Sequence, residues 1–217
     1  MIDGVTTLSE ADSKALLARY GVPVLDERTV PDADAAVDAA RGIGYPVVVK
    51  LCGDRIAHKT ERGLVRLGLR DDAGVREAAT ALLAAATPDD GQVALLVAPM
   101  VRATRELIAG VHVDAQFGPT VMVGVGGVLA EAIADVAFRL VPVEPVDADE
   151  MVDDLTTGKL LDSFRGEPPV DRAALRDVLL GLSRAAEHEH GLRSVDVNPL
   201  AIVEGRPVAL DALVETS

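Results

Sequence analysis

Aromatic residues and cysteine are nearly absent from this sequence. Its 217 residues include no Trp, two Tyr and three Phe, so aromatic residues make up only 2%. The chain therefore lacks the aromatic platforms on which single-stranded nucleic acids stack. Its one cysteine, Cys52, excludes an internal disulfide and is typical of a reducing compartment, so we expect a cytoplasmic protein.

Basic runs and long apolar runs are also missing. Lys and Arg number 21 against 35 Asp and Glu, a net charge of −14, so we expect no nucleic-acid partner. The longest uncharged apolar stretch, residues 115–130, is too short and too rich in glycine to cross a membrane. Asp3, Glu10 and Asp12 interrupt any signal-peptide core, so we expect no membrane association.

The residues that are present favour a packed protein with two lobes. Hydrophobic residues make up 49% of the chain, and its length is enough for one domain of two lobes or two small domains. The apolar pattern predicts helices at 9–20, 33–41, 72–86, 147–155 and 171–188. It predicts strands at 47–51, 64–69, 93–98, 105–113, 120–124, 136–142, 192–198, 200–203 and 207–210. Helix and strand alternate before a hinge at 99–105, which indicates an α/β lobe followed by a second lobe.

Lys50 ends a strand that reads as interior, because β-branched residues run from Val47 to Val49 without alternation. A lysine there is costly to bury unless an anion meets it. Since the chain has only four lysines, we interpret Lys50 as part of an anion site. The alternative is a solvated strand cap, because a lysine at the end of an element can extend to water.

His58 follows in a polar loop at 54–63. An imidazole can carry a proton or a phosphoryl group near neutral pH, which makes His58 a candidate catalytic residue. The alternative is an ordinary surface or hydrogen-bonded histidine.

Asp196 and Asn198 are two residues apart, so on a strand their side chains point to one face. A turn at Glu204–Pro207 returns the next strand antiparallel, which can bring Asp211 beside them. Two carboxylates and one amide oxygen form a hard oxygen site that suits magnesium. A solvated polar hairpin is the alternative.

These residues belong to an ordered series of motifs that resembles the ATP-grasp domain of ADP-forming acyl-CoA synthetases. The beta subunit of ADP-forming acetate–CoA ligase is the best-known member, and succinyl-CoA synthetase beta subunits are more distant relatives. The motifs lie at Leu8–Ala11, Tyr20–Pro23, Pro46–Lys50, His58–Thr60, Val97–Met100, Arg105–Val111, Gln116–Pro119, Val123–Val128, Phe138–Pro142, Phe164–Gly166 and from Asp196 to Asp211.

The resemblance implies one ATP-grasp domain over residues 1–217, an α/β fold built from α+β lobes. An N-terminal helix would occupy residues 1–21. The lobes would span 22–100 and 101–217, with the nucleotide between them.

The resemblance also implies site roles, with ATP or ADP and Mg²⁺ as cofactors. The nucleotide would be bound by Lys50, Ala98, Pro99, Met100, Glu106, Gly126 and Gly127. Magnesium would be held by Asp196, Asn198 and Asp211. His58 would carry phosphate, Glu131 would orient its imidazole, and Lys59 and Arg62 would neutralise phosphate charge. The hinge has Ala98-Pro99-Met100 where many ATP-grasp enzymes have a glutamate, which leaves ADP against GDP preference open.

The implied reaction is acyl-CoA + ADP + phosphate = acid + CoA + ATP, through a phosphohistidine. The sequence has neither a Gly-x-Gly-x-x-Gly motif nor a Walker phosphate loop. We therefore expect a CoA-binding alpha subunit that carries a second phosphohistidine and binds the acyl-CoA. Two alternatives remain open: an ATP-grasp ligase that forms an acyl phosphate within this chain, and a non-catalytic ATP-binding regulatory module.

Overall fold

The computed structural model describes residues 5–53, 55–56, 59, 62–127, 134–163 and 166–217. The chain divides into two compact units. The first unit comprises Met1–Thr6, Ser13–Val24 and Arg102–Ser217, and the second comprises Thr7–Asp12 and Leu25–Val101.

Helices and strands are numbered here along the described part of the chain. The strands are β1 (Thr6–Thr7), β2 (Arg28–Val30), β3 (Val47–Gly53), β4 (Val65–Leu69), β5 (Val93–Pro99), β6 (Arg105–Asp114), β7 (Gly118–Val125), β8 (Val136–Leu140), β9 (Leu192–Val203), β10 (Arg206–Ala209) and β11 (Ala212–Thr216). The helices are α1 (Glu10–Arg19), α2 (Ala33–Ile43), α3 (Asp72–Ala84), α4 (Pro145–Asp153) and α5 (Arg172–His188). None of these helices is long and apolar enough to cross a membrane.

The helices begin where side chains can accept the first free backbone N–H groups. The Ser9 hydroxyl accepts from the Asp12 N–H at the start of α1. Asp32, Asp71 and Asp171 do the same for α2, α3 and α5. The predicted helix starts at residues 9 and 171 are confirmed to within one residue.

The second unit is a four-stranded antiparallel sheet in the order β2-β5-β3-β4. Helices α2 and α3 supply Ala36, Val37, Ala40, Val75, Ala79 and Leu82 to its core. The sheet supplies Val47, Val49, Leu51, Leu95 and Val97 to the same cluster. Alternate residues of β3 are thus used for packing, and Lys50 between them lies on the other sheet face.

The first unit is built on a sheet in the order β1-β11-β9-β6-β7-β8, with β10 also paired to β9. Helix α5 packs against it with Leu175, Val178, Leu179 and Leu182, all fully buried. The buried Ser183 hydroxyl accepts from the Val143 N–H at 2.9 Å, which fixes the segment between β8 and α4.

The predicted strands differ from the structure at β9 and in three strands that were not predicted. Strand β9 runs without a break from Leu192 to Val203, whereas the sequence pattern predicted an interruption at Pro199. Strands β1 and β2 have only two and three residues, and β11 follows a short turn at Asp211, so none of the three was predicted. Strand β7 lies inside the stretch 115–130, and residues 128–133 are outside the described residues.

Two buried charged residues hold the segment that follows α4. The Asp135 carboxylate accepts from the Thr156 and Thr157 N–H groups at 3.0 and 2.8 Å. The Arg105 guanidinium, at the start of β6, donates to the carbonyls of Asp162 and Pro168 at 3.0 and 2.6 Å. Residues on both sides of Leu160 are therefore fixed to the sheet of the first unit.

Asp135 makes the stability of the first unit dependent on pH. Burial alone would raise its pKa, but hydrogen bonds from Thr157 and Thr156 outweigh burial and lower it to about 2 from the usual 3.8. A lowered folded-state pKa stabilises the protein above the unfolded-state pKa, and this contribution is lost as pH falls toward the folded-state value.

We therefore expect Asp135→Asn to lower the free energy of unfolding at pH 7 by about 1.5–3 kcal/mol, the range for hydrogen bonds to a charged group. The difference from wild type should shrink as the pH is lowered from 3.8 toward about 2. Denaturant titrations at several pH values measure it, with the exposed Asp177→Asn in α5 as control. A difference that is constant with pH would contradict this role of the carboxylate.

Candidate functional site

Lys50 lies in the middle of β3, between β4 and β5. Only 12% of its side chain is exposed, and its Nζ lies 2.6 Å from Glu10 Oε1. The strand ends at Gly53, so Lys50 is an interior residue rather than the solvated cap of a strand.

Glu10, the first residue of α1, has a side chain with 0% exposure. Its Oε2 lies 2.9 Å from Lys59 Nζ, whose side chain is 6% exposed. No site role was predicted for Glu10, because an acidic residue in a first helical turn ordinarily complements the helix dipole. No local pattern marks a pairing with a residue 40 positions away.

Arg62 also has a carboxylate partner. Its guanidinium donates to both oxygens of the buried Asp90 at 2.6 and 3.0 Å. The Arg62 side chain and the Thr87 N–H hold the pKa of Asp90 well below its usual range. Lys59 and Arg62 are thus both paired with acidic side chains of the second unit. His58, which lies near them in the chain, is outside the described residues.

The segment predicted to bind adenine, Ala98–Met100, lies at the C-terminal end of β5, in the same sheet as Lys50. Ala98 lies opposite Val48, and Pro99 lies opposite Val47. The Met100 N–H donates to the Pro46 carbonyl at 3.0 Å. Because this N–H already has the Pro46 carbonyl as its acceptor, other backbone groups of the segment would have to hydrogen-bond the edge of a base.

In the first unit, Glu106 and the two predicted glycines lie together. The Gly126 N–H donates to the Glu106 carbonyl at 2.8 Å. A Cβ on Gly126 would lie 2.9 Å from the Leu107 backbone, so only glycine fits there. A Cβ on Gly127, where φ is +82°, would lie 3.6 Å from Glu106 Oε2. Glu131 is outside the described residues.

A small cavity of about 110 Å³ adjoins Glu106 and Gly126. It is also lined by Leu160 and Leu161, from the segment that Arg105 and Asp135 hold. The two buried charges therefore hold the segment that supplies Leu160 and Leu161 to this cavity.

Asp196, Asn198 and Asp211 share one face of the first unit's sheet. Asp196 and Asn198 are exposed and alternate with the buried Val195 and Val197. The Asn198 N–H donates to the Asp211 carbonyl at 3.3 Å. Because Ala212 pairs with Val197, Asp211 lies opposite Asn198, and opposite residues of an antiparallel pair share a face.

These three side chains supply two carboxylates and one amide oxygen, donors that Mg²⁺ accepts. Within the described ranges, no three His, Cys, Asp or Glu side chains are grouped to hold a metal ion. A magnesium site here therefore depends on the Asn198 amide or on nucleotide oxygens.

Lys14, for which no role was predicted, supports the turn that carries Asp211. Its side chain is buried, and its Nζ lies 2.7 Å from the Leu210 carbonyl. The two residues are 196 positions apart, so no local pattern shows this contact.

The predicted residues thus fall into two groups. Lys50 and the segment Ala98–Met100 belong to the second unit. The first unit holds Glu106, Gly126, Gly127, Asp196, Asn198 and Asp211.

Comparisons with known proteins identify the family of this chain. A family model described as an ATP-grasp domain matches residues 2–216. The beta subunit of acetate–CoA ligase (ADP-forming) I from Pyrococcus furiosus is 34% identical over 94% of this chain and 90% of that protein. The 4-hydroxybutyrate–CoA ligase (ADP-forming) of Nitrosopumilus maritimus is 34% identical over 91% of this chain, which spans only 29% of that protein.

Solved structures of the dinucleotide-forming acetyl-CoA synthetase 1 from Ca. Korarchaeum cryptofilum have the same fold. One, in complex with coenzyme A and Ca-AMPCP, has a TM-score of 0.92 and 33% identity over 98% of this chain and 94% of that chain. Another contains Mg-AMPPCP and a phosphohistidine segment that points towards the nucleotide binding site, with a TM-score of 0.82 and 34% identity over 96% of this chain and 92% of that chain.

The predicted ATP-grasp fold is therefore confirmed, and the chain belongs to the ATP-grasp family, in the branch that contains the beta subunits of ADP-forming acetate–CoA ligases.

Proposed function

We propose that this chain is the nucleotide-binding subunit of an ADP-forming acyl-CoA synthetase, which converts acyl-CoA, ADP and phosphate to acid, CoA and ATP. The observation that carries the proposal is the match to a beta subunit over nearly the full length of both chains. The arrangement of Lys50 on an interior strand and of three oxygen donors on one sheet face supports it.

A CoA-binding alpha subunit with a second phosphohistidine would complete the enzyme, and the acyl-CoA would bind through it. Support comes from the N. maritimus relative, of which this chain spans 29%. The rest of that relative is available for CoA chemistry, for which this chain has no motif. We further propose a cytoplasmic location, which suits the single cysteine.

Within this chain, Lys50 would contact phosphate oxygens as a compact point charge. Asp196, Asn198 and Asp211 would hold the magnesium ion that accompanies the nucleotide, because all three offer oxygen ligands on one face. Ala98, Pro99 and Met100 would lie beneath the adenine. Glu106, Gly126 and Gly127 would contact the nucleotide from the first unit.

His58 would transfer the phosphoryl group between the partner and ADP, with Glu131 orienting its imidazole. When ATP forms, the P–N bond of phosphohistidine breaks, a P–O bond to the terminal phosphate of ADP forms, and the freed nitrogen takes a proton. The solved relative with a phosphohistidine segment supports this assignment.

Labelling tests the proposed function. Incubation with Mg-ATP that is radioactive in its γ-phosphate should label the chain, and the label should be labile in acid and stable in alkali. His58→Asn should remove it. An acyl-phosphate ligase or a regulatory module would leave the chain unlabelled. Copurification with a CoA-binding chain would identify the partner.

Lys50→Ala should weaken Mg-ATP binding by about 1.5–3 kcal/mol, the range for a hydrogen bond to a charged group. Calorimetry on the single chain measures it, with the exposed Lys159→Ala as a control of equal charge change. Equal affinities for the two variants would remove Lys50 from the site.

Asp211→Asn should raise the magnesium concentration needed for turnover, because it replaces an anionic oxygen ligand with a neutral one. Turnover at fixed nucleotide and varied magnesium measures this. If Asp211→Asn, Asp196→Asn and Asn198→Ala all keep the wild-type dependence, the metal is bound elsewhere.

His58→Asn should abolish acyl-CoA-driven ATP synthesis in the presence of the partner subunit and leave nucleotide affinity nearly unchanged, since asparagine keeps polarity without nucleophilicity. Turnover assays with calorimetry separate the two effects. Turnover within about threefold of wild type, far short of the loss expected for a covalent carrier, would exclude the carrier role.

A further inference from the structure

Glu10, Lys50 and Lys59 form a buried cluster of three charges within the second unit. Each oxygen of the Glu10 carboxylate takes a different lysine, at 2.6 Å for Lys50 and 2.9 Å for Lys59. The carboxylate is fully buried and both lysines are nearly so. One acidic side chain therefore holds two ammonium groups close to each other.

The cluster is held together by its central anion. A buried charge is tolerated only when an opposite charge or several hydrogen bonds replace its lost hydration. The Glu10 carboxylate is a group that both ammonium groups contact. Its removal would take away this shared contact and leave the two like charges without the anion between them.

The two lysines come from different elements. Lys50 is part of β3, while Lys59 lies between β3 and β4 and directly follows His58 in the sequence. Arg62, further along the same connection, has its own partner in Asp90. Arg62 is thus held at the turn before β5 without Glu10, so Glu10 has the narrower effect of fixing Lys59 relative to Lys50.

We propose that Glu10 is a positioning residue for phosphoryl transfer. Its carboxylate holds Lys50, the proposed phosphate contact, at a fixed position relative to Lys59, which follows the proposed carrier His58 in the sequence. This role rests on the proposed function, because it takes Lys50 as the phosphate contact and His58 as the carrier.

The test is a double-mutant cycle on the single chain, with Mg-ADP affinity measured by calorimetry. Glu10→Gln should weaken binding by about tenfold, within the range of coupling for residues in one ion network. In a Lys50→Met background, the same change should cost less than about twofold, because Glu10 acts through Lys50. Equal losses in both backgrounds would overturn the proposal and show that Glu10 has only a structural role.

A second variant separates position from charge. Glu10→Gln combined with Lys59→Met removes one anion and one cation, so the net charge of the protein equals that of the wild type and the repulsion between the two lysines is gone. If the Glu10 carboxylate acts by fixing the position of Lys50, Mg-ADP binding stays weak, because Lys50 still lacks its contact with that carboxylate. Recovery of wild-type affinity would overturn the proposal. This variant also keeps the test possible if Glu10→Gln alone does not fold.

Asp90→Asn is the matched control, because it removes a buried carboxylate that pairs with Arg62 of the same connection and does so outside the Glu10–Lys50 pair. It should lower the melting temperature yet change Mg-ADP affinity by less than about twofold, as expected for a site outside the network. An affinity loss as large as that of Glu10→Gln would overturn the proposal. Absence of Mg-ADP binding by the wild-type chain would instead overturn the proposed function.

Discussion

An ammonium group on an interior strand loses most of its hydration, and an anion that is equally hidden from water can compensate for the loss. Lys50 meets this condition through Glu10, whose carboxylate is fully buried at the start of α1. Because Val47, Val49 and Leu51 already commit one face of β3 to the core, the lysine is confined to the opposite face. The position of the candidate phosphate contact thus follows from strand alternation and from one ion pair.

The first unit also contains buried charged side chains. There they hydrogen-bond the irregular backbone that follows α4, whereas in the second unit Glu10 holds lysine side chains. Because aromatic residues are few, the core consists mainly of Ala, Val and Leu. These side chains pack well between helices and strands but offer no hydrogen bonds to the backbone of an irregular segment. Arg105 and Asp135 supply directional hydrogen bonds where packing is insufficient. The apolar wall beside Glu106 consequently depends on two ionised groups.

The sequence predicted those parts of the structure that local rules determine. Helix starts followed from side chains that accept backbone N–H groups, and β3 and β5 followed from runs of β-branched residues. Strand alternation predicted that Asp196 and Asn198 share a face, and the turn at 204–207 predicted that Asp211 returns beside them. Local rules did not determine β2, too short for a pattern, or β9, which continues through Pro199. Glu10, Lys14 and Arg105 escaped prediction because their partners are remote in sequence.

Cys52 lies two residues beyond Lys50, is buried, and has a thiol whose pKa burial raises. A thiol that resists ionisation reacts slowly with maleimides and other thiolate-directed reagents. For labelling purposes the native chain therefore behaves almost as if it were free of cysteine. New cysteines at exposed positions such as Leu67 in the second unit and Val146 in the first could carry a fluorophore pair. The distance between the two units could then be followed in solution without first replacing a native residue.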